Sequence, residues 1–335
     1  LSYLERISNS INGSQSIFNT IGWLGDSITA NNFLGPTGEG QENRKYGFAS
    51  IVSEYYGALM DNQAESGRNL SSFLPVQSGS VGSAVKNFDG EWLNDSGSWY
   101  WWDPEASSGS GAWVFVVNNG SSVDRNGSSV SRLDSLISNT EASHIVISQT
   151  GVNDNDSNTD AGVGDNGAHG SRHYGLLLTE IIKRLRAARK TILIVTGLTA
   201  SSEQFHGLGG DYLQRVLGRY SEVSRHIAYN FGLNCCDTGV RLNLEIATGR
   251  VDILTRSSQV KPENQTQLEW DAYLASTGDP NAATNAYRVF DETEDYLHIE
   301  DSNRIDFWFN LHPNALGHYL NANEIIKYIN ERGFV

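Results

Sequence analysis

Short apolar runs alternate along this chain with segments of helical spacing, and that alternation constrains the fold more than any other feature. Strands are expected at residues 16–24, 58–62, 144–149, 191–196 and 233–237, and helices at 46–56, 130–138, 174–189, 212–231 and 314–330. The runs 144–149 and 191–196 are continuously apolar, as in strands buried on both faces. The helix over 174–189 carries apolar residues at 176, 177, 181, 182 and 185, one face of a 3.6-residue period. Strand and helix in alternation imply a parallel sheet covered on both sides. One α/β domain is therefore predicted over 1–335, a three-layer α/β/α sandwich around a parallel sheet of about five strands. Ligands of such sheets bind beyond the carboxyl ends of the strands. Ser27 and the segment 151–154 both fall just after a predicted strand, on that edge.

Two stretches break the pattern, 71–126 and 238–309. Both are too long for ordinary connections, and both read as insertions on the core. The first is rich in Gly and Ser and carries Trp92, Trp99, Trp101, Trp102 and Trp113. Its tryptophans are expected either to form a small core of their own or to offer ring faces to a sugar.

Charge narrows the partners. With 24 basic and 39 acidic residues the net charge is −15, and the pI is near 4.9. Such a field repels phosphate backbones and anionic membrane surfaces, so nucleic acid is not an expected partner. No apolar run is long enough to span a bilayer, and no charged-then-apolar signal segment opens the chain. A chain that opens at Leu1 is expected to be a processed form or a domain of something longer. The two cysteines, Cys235 and Cys236, are neighbours and read as buried thiols rather than a bridge.

Four blocks in fixed order carry the chemistry: Gly25-Asp26-Ser27-Ile28, Asn62-Gln63-Ala64-Glu65-Ser66-Gly67, Gly151-Val152-Asn153-Asp154, and His312-Pro313-Asn314 followed by Gly317. Taken singly each has an ordinary explanation. Ser27 and Asn153 could be turn residues, Gly67 a loop glycine, and His312 a cap of the last helix. Together, in this order and at strand ends, they resemble the SGNH (GDSL-type) hydrolase family. The resemblance implies a flavodoxin-like sheet, a serine esterase mechanism and no cofactor or metal. It casts Ser27 as the nucleophile and His312 as its base. The backbone N–H groups of Ser27 and Gly67 and the Asn153 side-chain amide would form the oxyanion hole. Acyl transfer needs these three parts: a nucleophile, a base for its proton, and donors aimed at the developing oxyanion. The chain departs from the family at Phe309, where an Asp three residues before the histidine usually orients the imidazole. Asp306 or a backbone carbonyl remains to fill that role.

Other signals are weaker. Asp154, Asp156, Asn158, Asp160 and Asp165 imitate part of a calcium loop, but Thr159 stands where the loop needs Gly, so a solvated loop is expected. His169 and His173 are four apart, with Gly170 between them expected to break the helix that would align them for zinc. No P-loop and no Gly-x-Ser-x-Gly elbow occurs. The tryptophan-bearing insertion and the absence of an apolar lid favour an acetylated polysaccharide as substrate, as in the carbohydrate O-acetylesterase domains of bacteriophage tail spikes. That implies an extracellular or virion setting, within a larger surface protein and trimeric in the tail-spike case. The alternatives are a lipid or thioester hydrolase of the same fold and a catalytically inactive carbohydrate-binding module.

Overall fold

Five parallel strands form the centre of the molecule: β1 (Thr20–Gly25), β2 (Leu59–Asn62), β7 (His144–Ser148), β8 (Thr191–Val195) and β9 (Asn234–Cys236). Their spatial order is β2-β1-β7-β8-β9, the flavodoxin-like order. The computed structural model describes residues 18–30, 47–64, 70–118, 132–148, 166–197, 210–240, 254–258, 288–289, 307–313 and 315–334.

The pleat divides the apolar side chains into two cores. On one face Leu24, Ile145, Ile147, Ile192 and Ile194 meet helices α3 (Arg132–Ser138), α4 (Asn166–Ala187) and α5 (Gly210–Phe231). On the other, Ile21, Trp23, Val146, Leu193 and Val195 meet α2 (Phe48–Tyr55) and α6 (Ala315–Arg332). The result is the three-layer α/β/α sandwich expected from the alternation. Burying each such side chain stabilises the fold by about 1.5–3 kcal/mol. Close approach needs small residues at two points. A Cβ on Gly22 would lie 2.5 Å from Ile145 Cδ1, and one on Gly175 would lie 3.3 Å from Val223 Cγ1, where α5 closes on α4.

Helix α4 starts eight residues earlier than the apolar period suggests, because Gly170 does not break it. The second core is also pinned by polar contacts. Trp23 Nε1 donates to Ser53 Oγ at 3.2 Å. His318 Nδ1 accepts the Phe48 N–H at 3.3 Å, satisfying a donor at the start of α2 where Gly47 supplies no side-chain cap.

Both insertions contain strands. In the first, β3 (Gln77–Ser78), β4 (Trp92–Asp95), β5 (Ser98–Asp103) and β6 (Ala112–Asn118) form a sheet in that order. Strands β4 and β5 are joined by Ser96 and Gly97, with φ of 53° and 93°. Positive φ at both central residues suits a tight hairpin turn. The second supplies β10 (Leu254–Ser258) and β11 (Arg288–Val289), which with β12 (Phe307–Pro313) at its end form an antiparallel sheet in the order β11-β10-β12.

The cysteines are free thiols. Burial, reinforced by Asp237, pushes Cys235 up to about 12, and burial raises Cys236 further. Neither is a thiolate at neutral pH.

At the amino end of the sheet, His144 lies between Phe18 and Phe334, with ring centroids 4.7 and 4.9 Å away. Burial holds its pKa below the ordinary imidazole value. The unfolded chain therefore binds the proton more tightly, and the stability from neutral His144 is complete above about pH 6.5 and lost as pH falls through the depressed folded value. Replacing His144 by Phe is expected to flatten the decline in melting temperature on acidification below about pH 6.5. A profile parallel to wild type would show that His144 does not contribute to it.

Candidate active site

Strand β1 runs straight into a four-residue helix, α1 (Ser27–Ala30). Asp26 makes the turn. It is buried, and its Oδ1 accepts the Ile28 N–H at 2.9 Å, an N-cap that fixes the start of the helix. Ala30 N–H then donates to the Asp26 carbonyl at 2.9 Å. Thr29 Oγ1 donates to the Ser148 carbonyl at 3.0 Å, tying α1 to the carboxyl end of β7. Gly25 and Ser148 are register partners, and a Cβ on Gly25 would overlap Thr29 and the Ser148 carbonyl oxygen. Glycine is thus dictated at the residue that delivers the Asp26-Ser27 turn.

The end of β2 joins the same edge. Asn62 Nδ2 donates to the Thr29 carbonyl at 3.2 Å, and Asn62 Oδ1 accepts the Ala64 N–H at 3.0 Å. Gln63 N–H donates to the Trp23 carbonyl at 2.9 Å, and Arg132 Nη1 donates to the Gln63 carbonyl at 2.8 Å. Three strand ends therefore meet where the chain leaves β1 toward one face and β7 toward the other. That is the switch point at which parallel α/β sheets bind ligands.

Strand β12, which carries His312, packs against α1, which begins with Ser27. Two blocks at opposite ends of the chain are so brought together. His312 lies in a strand, with Pro313 paired to Leu254, and not at the first turn of α6. Phe309 pairs with Arg256 in the same strand. For Ser27 and His312 the description extends to the backbone. Gly67, Asn153, Asp306 and the acidic loop 154–165 lie outside the described residues, as does the side chain of His169.

His173 follows Gly170, the expected helix break, yet stands in a continuous helix. It lies in the amino-terminal half of α4, where its Nε2 donates to the Gly90 carbonyl at 2.8 Å. The rings of Trp92 and Trp101 pack on it at 4.9 and 4.6 Å. Arg172 beside it pairs with Asp103 and, at 3.0 Å, with Glu105. These contacts dock the first insertion onto α4. Trp92 and Trp101 are buried in this seam, while Trp99, Trp102 and Trp113 are half-buried and Phe115 is 49% exposed. The insertion is therefore a small core with a partly open outer side.

The second block contained Asn62, which ties α1 to β2, but its role became readable only with the two hydrogen bonds in view. The docking role of His173 had no local signal, because its partners are 72 to 83 residues away.

No protein-family model matches the sequence, and no curated protein does. Solved structures with a similar course of chain include phospholipase A1 from Streptomyces albidoflavus NA297, at 10% identity and TM-score 0.46 over 94% of this chain and 99% of that one. A catalytic mutant of Axe2, an acetylxylan esterase from Geobacillus stearothermophilus, superposes at 13% identity and TM-score 0.44 over 94% and 96%. A member of the lipolytic protein G-D-S-L family from Veillonella parvula DSM 2008 does so at 14% identity and TM-score 0.40 over 92% and 96%. These superpositions are loose, and the fold assignment rests on the strand order and register of this chain.

The crowding at Gly25 yields a comparison. Gly25→Ala is expected to cost about 1–3 kcal/mol in urea unfolding, because its neighbours include a backbone carbonyl that cannot yield. Gly22→Ala meets only the ends of Ile145 and Leu136 and is expected to cost less. Equal costs would remove the argument that the β1–β7 contact dictates Gly25.

Proposed function

We propose that the protein is a serine esterase that removes O-acetyl groups from a polysaccharide. Ser27 attacks the ester carbonyl. His312 takes its proton and returns it to the leaving alcohol, and water then releases acetate by the same route. The N–H groups of Ser27 and Gly67 and the Asn153 amide receive the oxyanion. The observation that carries this reading is the packing of β12 against α1 at the switch point of the sheet. The four sequence blocks and the fixed turn at Asp26 support it. Either Asp306 or a backbone carbonyl orients His312. The setting that suits such a domain is extracellular or virion, as part of a larger surface protein, with no nucleic acid and no membrane insertion.

The acetylated glycan is argued from the first insertion. Its half-buried Trp99 and Trp102 and exposed Phe115 offer apolar faces, and it docks on a helix that begins at the carboxyl edge of the sheet. Remote contacts of this kind position an ester without entering the chemistry. Among the described residues no helix is long and apolar enough to cross a membrane.

Ser27→Ala and His312→Ala are each expected to lower turnover of 4-nitrophenyl acetate by up to about 10⁶-fold with the fold retained, and Asn153→Ala by about 10²–10³-fold. A serine-directed phosphonate should label Ser27 and spare Ser27→Ala. Wild-type turnover in Ser27→Ala would overturn the mechanism and leave the carbohydrate-binding module as the reading.

Trp99→Ala and Trp102→Ala should impair release of acetate from an acetylated polysaccharide much more than hydrolysis of the small ester. Trp101→Ala, which opens the buried seam on His173, should lower stability and affect both substrates alike. Preference for long acyl chains would instead favour the lipid hydrolase.

A further inference from the structure

A four-residue helix cannot hold itself in place. The ends of a helix leave N–H and C=O groups without intrahelical partners, and four residues are nearly all ends. Helix α1 is held from outside by three groups, each from a different strand end. Asp26 after β1 caps its start, the Ser148 carbonyl of β7 accepts from Thr29 Oγ1, and Asn62 of β2 donates to the Thr29 carbonyl at 3.2 Å. Asn62 engages through both arms of its carboxamide. Its Oδ1 accepts the Ala64 N–H at 3.0 Å, at the start of the segment that leads to Gly67. Gln63 N–H on the Trp23 carbonyl and Arg132 on the Gln63 carbonyl hold that segment down.

The geometry points to Asn62 as a positioning residue for ester hydrolysis. It fixes α1, whose first N–H belongs to Ser27, against the chain leaving β2 at Ala64, and so holds the turn that presents the nucleophile and its backbone donor. The inference rests on the proposed esterase mechanism; Asn62 itself touches no substrate in it. The residue type is specific to the task. A carboxamide presents a donor to the Thr29 carbonyl and an acceptor to the Ala64 N–H at once. An ionised aspartate keeps the acceptor but turns a second oxygen toward the carbonyl, and alanine offers neither.

The test uses Asn62→Ala and Asn62→Asp in the full chain, with 4-nitrophenyl acetate turnover and amide hydrogen exchange of peptides covering residues 26–30. In Asn62→Ala kcat should fall by about tenfold to a hundredfold, with KM changed by less than about twofold, since a small misplacement acts on the transition state. Exchange over 26–30 should accelerate while that of β7 and β8 stays as in wild type. In Asn62→Asp, whose carboxylate is ionised across the assay range, kcat should fall at least as far as in Asn62→Ala, because a charged oxygen faces the Thr29 carbonyl. Unchanged kcat, a loss confined to KM, or unchanged exchange over 26–30 would each overturn the role. Absence of hydrolysis in the wild type would sink the esterase reading instead, and the exchange data would still decide whether Asn62 holds α1.

Discussion

Strand β1 pairs in parallel with β7 from Ile21 on His144 to Gly25 on Ser148, and the rest of the molecule is arranged around that contact. The pair lies at the middle of the sheet, and the connections that follow its two strands pass to opposite faces. Both layers of helices are therefore set by it. Its last step is the tightest, since Gly25 leaves no room for a side chain between Thr29 and the Ser148 carbonyl. The turn that follows inherits its position from a packed core and from paired backbone, the least deformable parts of a protein. A nucleophile placed there would be held by elements that stay folded while loops move.

Around this rigid centre the outer parts are joined by smaller and more specific contacts. Helix α6 is fastened to α2 through His318, and the first insertion is fastened to α4 through His173. In both cases one imidazole nitrogen meets a backbone group and the ring packs on aromatic neighbours. Arg172 adds ion pairs at the same seam, one to buried Asp103 and one to exposed Glu105, and the exposed pair contributes little. The proposed site is thus assembled from a core edge and from β12, a strand whose partner β10 comes from the second insertion.

The core was legible because its segments are strongly periodic and buried on both faces. All five central strands and the long helices were readable from apolar spacing, with shifts confined to their ends. The starts of α4 and α5 lie ahead of the apolar period, in polar and Gly-containing turns that carry no periodic signal. The insertions were less legible. Gly and Ser content in the first suggested loops, yet Trp92–Asp95 and Ser98–Asp103 flank a Ser-Gly pair, which is hairpin chemistry between aromatic strands. The first, second and fourth blocks could be read locally, and each adjoins the end of a described strand. Their mutual contacts could not, since Asn62 reaches Thr29, and β12 reaches α1, only through the folded sheet.

The aromatic cluster of Phe18, His144 and Phe334 closes the sheet at its amino end, the pole opposite the Asp26-Ser27 turn. The segment that leads into β1 and the one that follows α6 are thereby clasped together across most of the chain's length. The clasp and the turn share the strands β1 and β7 but no side chain, so the grip that closes the fold and the edge where the four blocks gather can vary independently of each other.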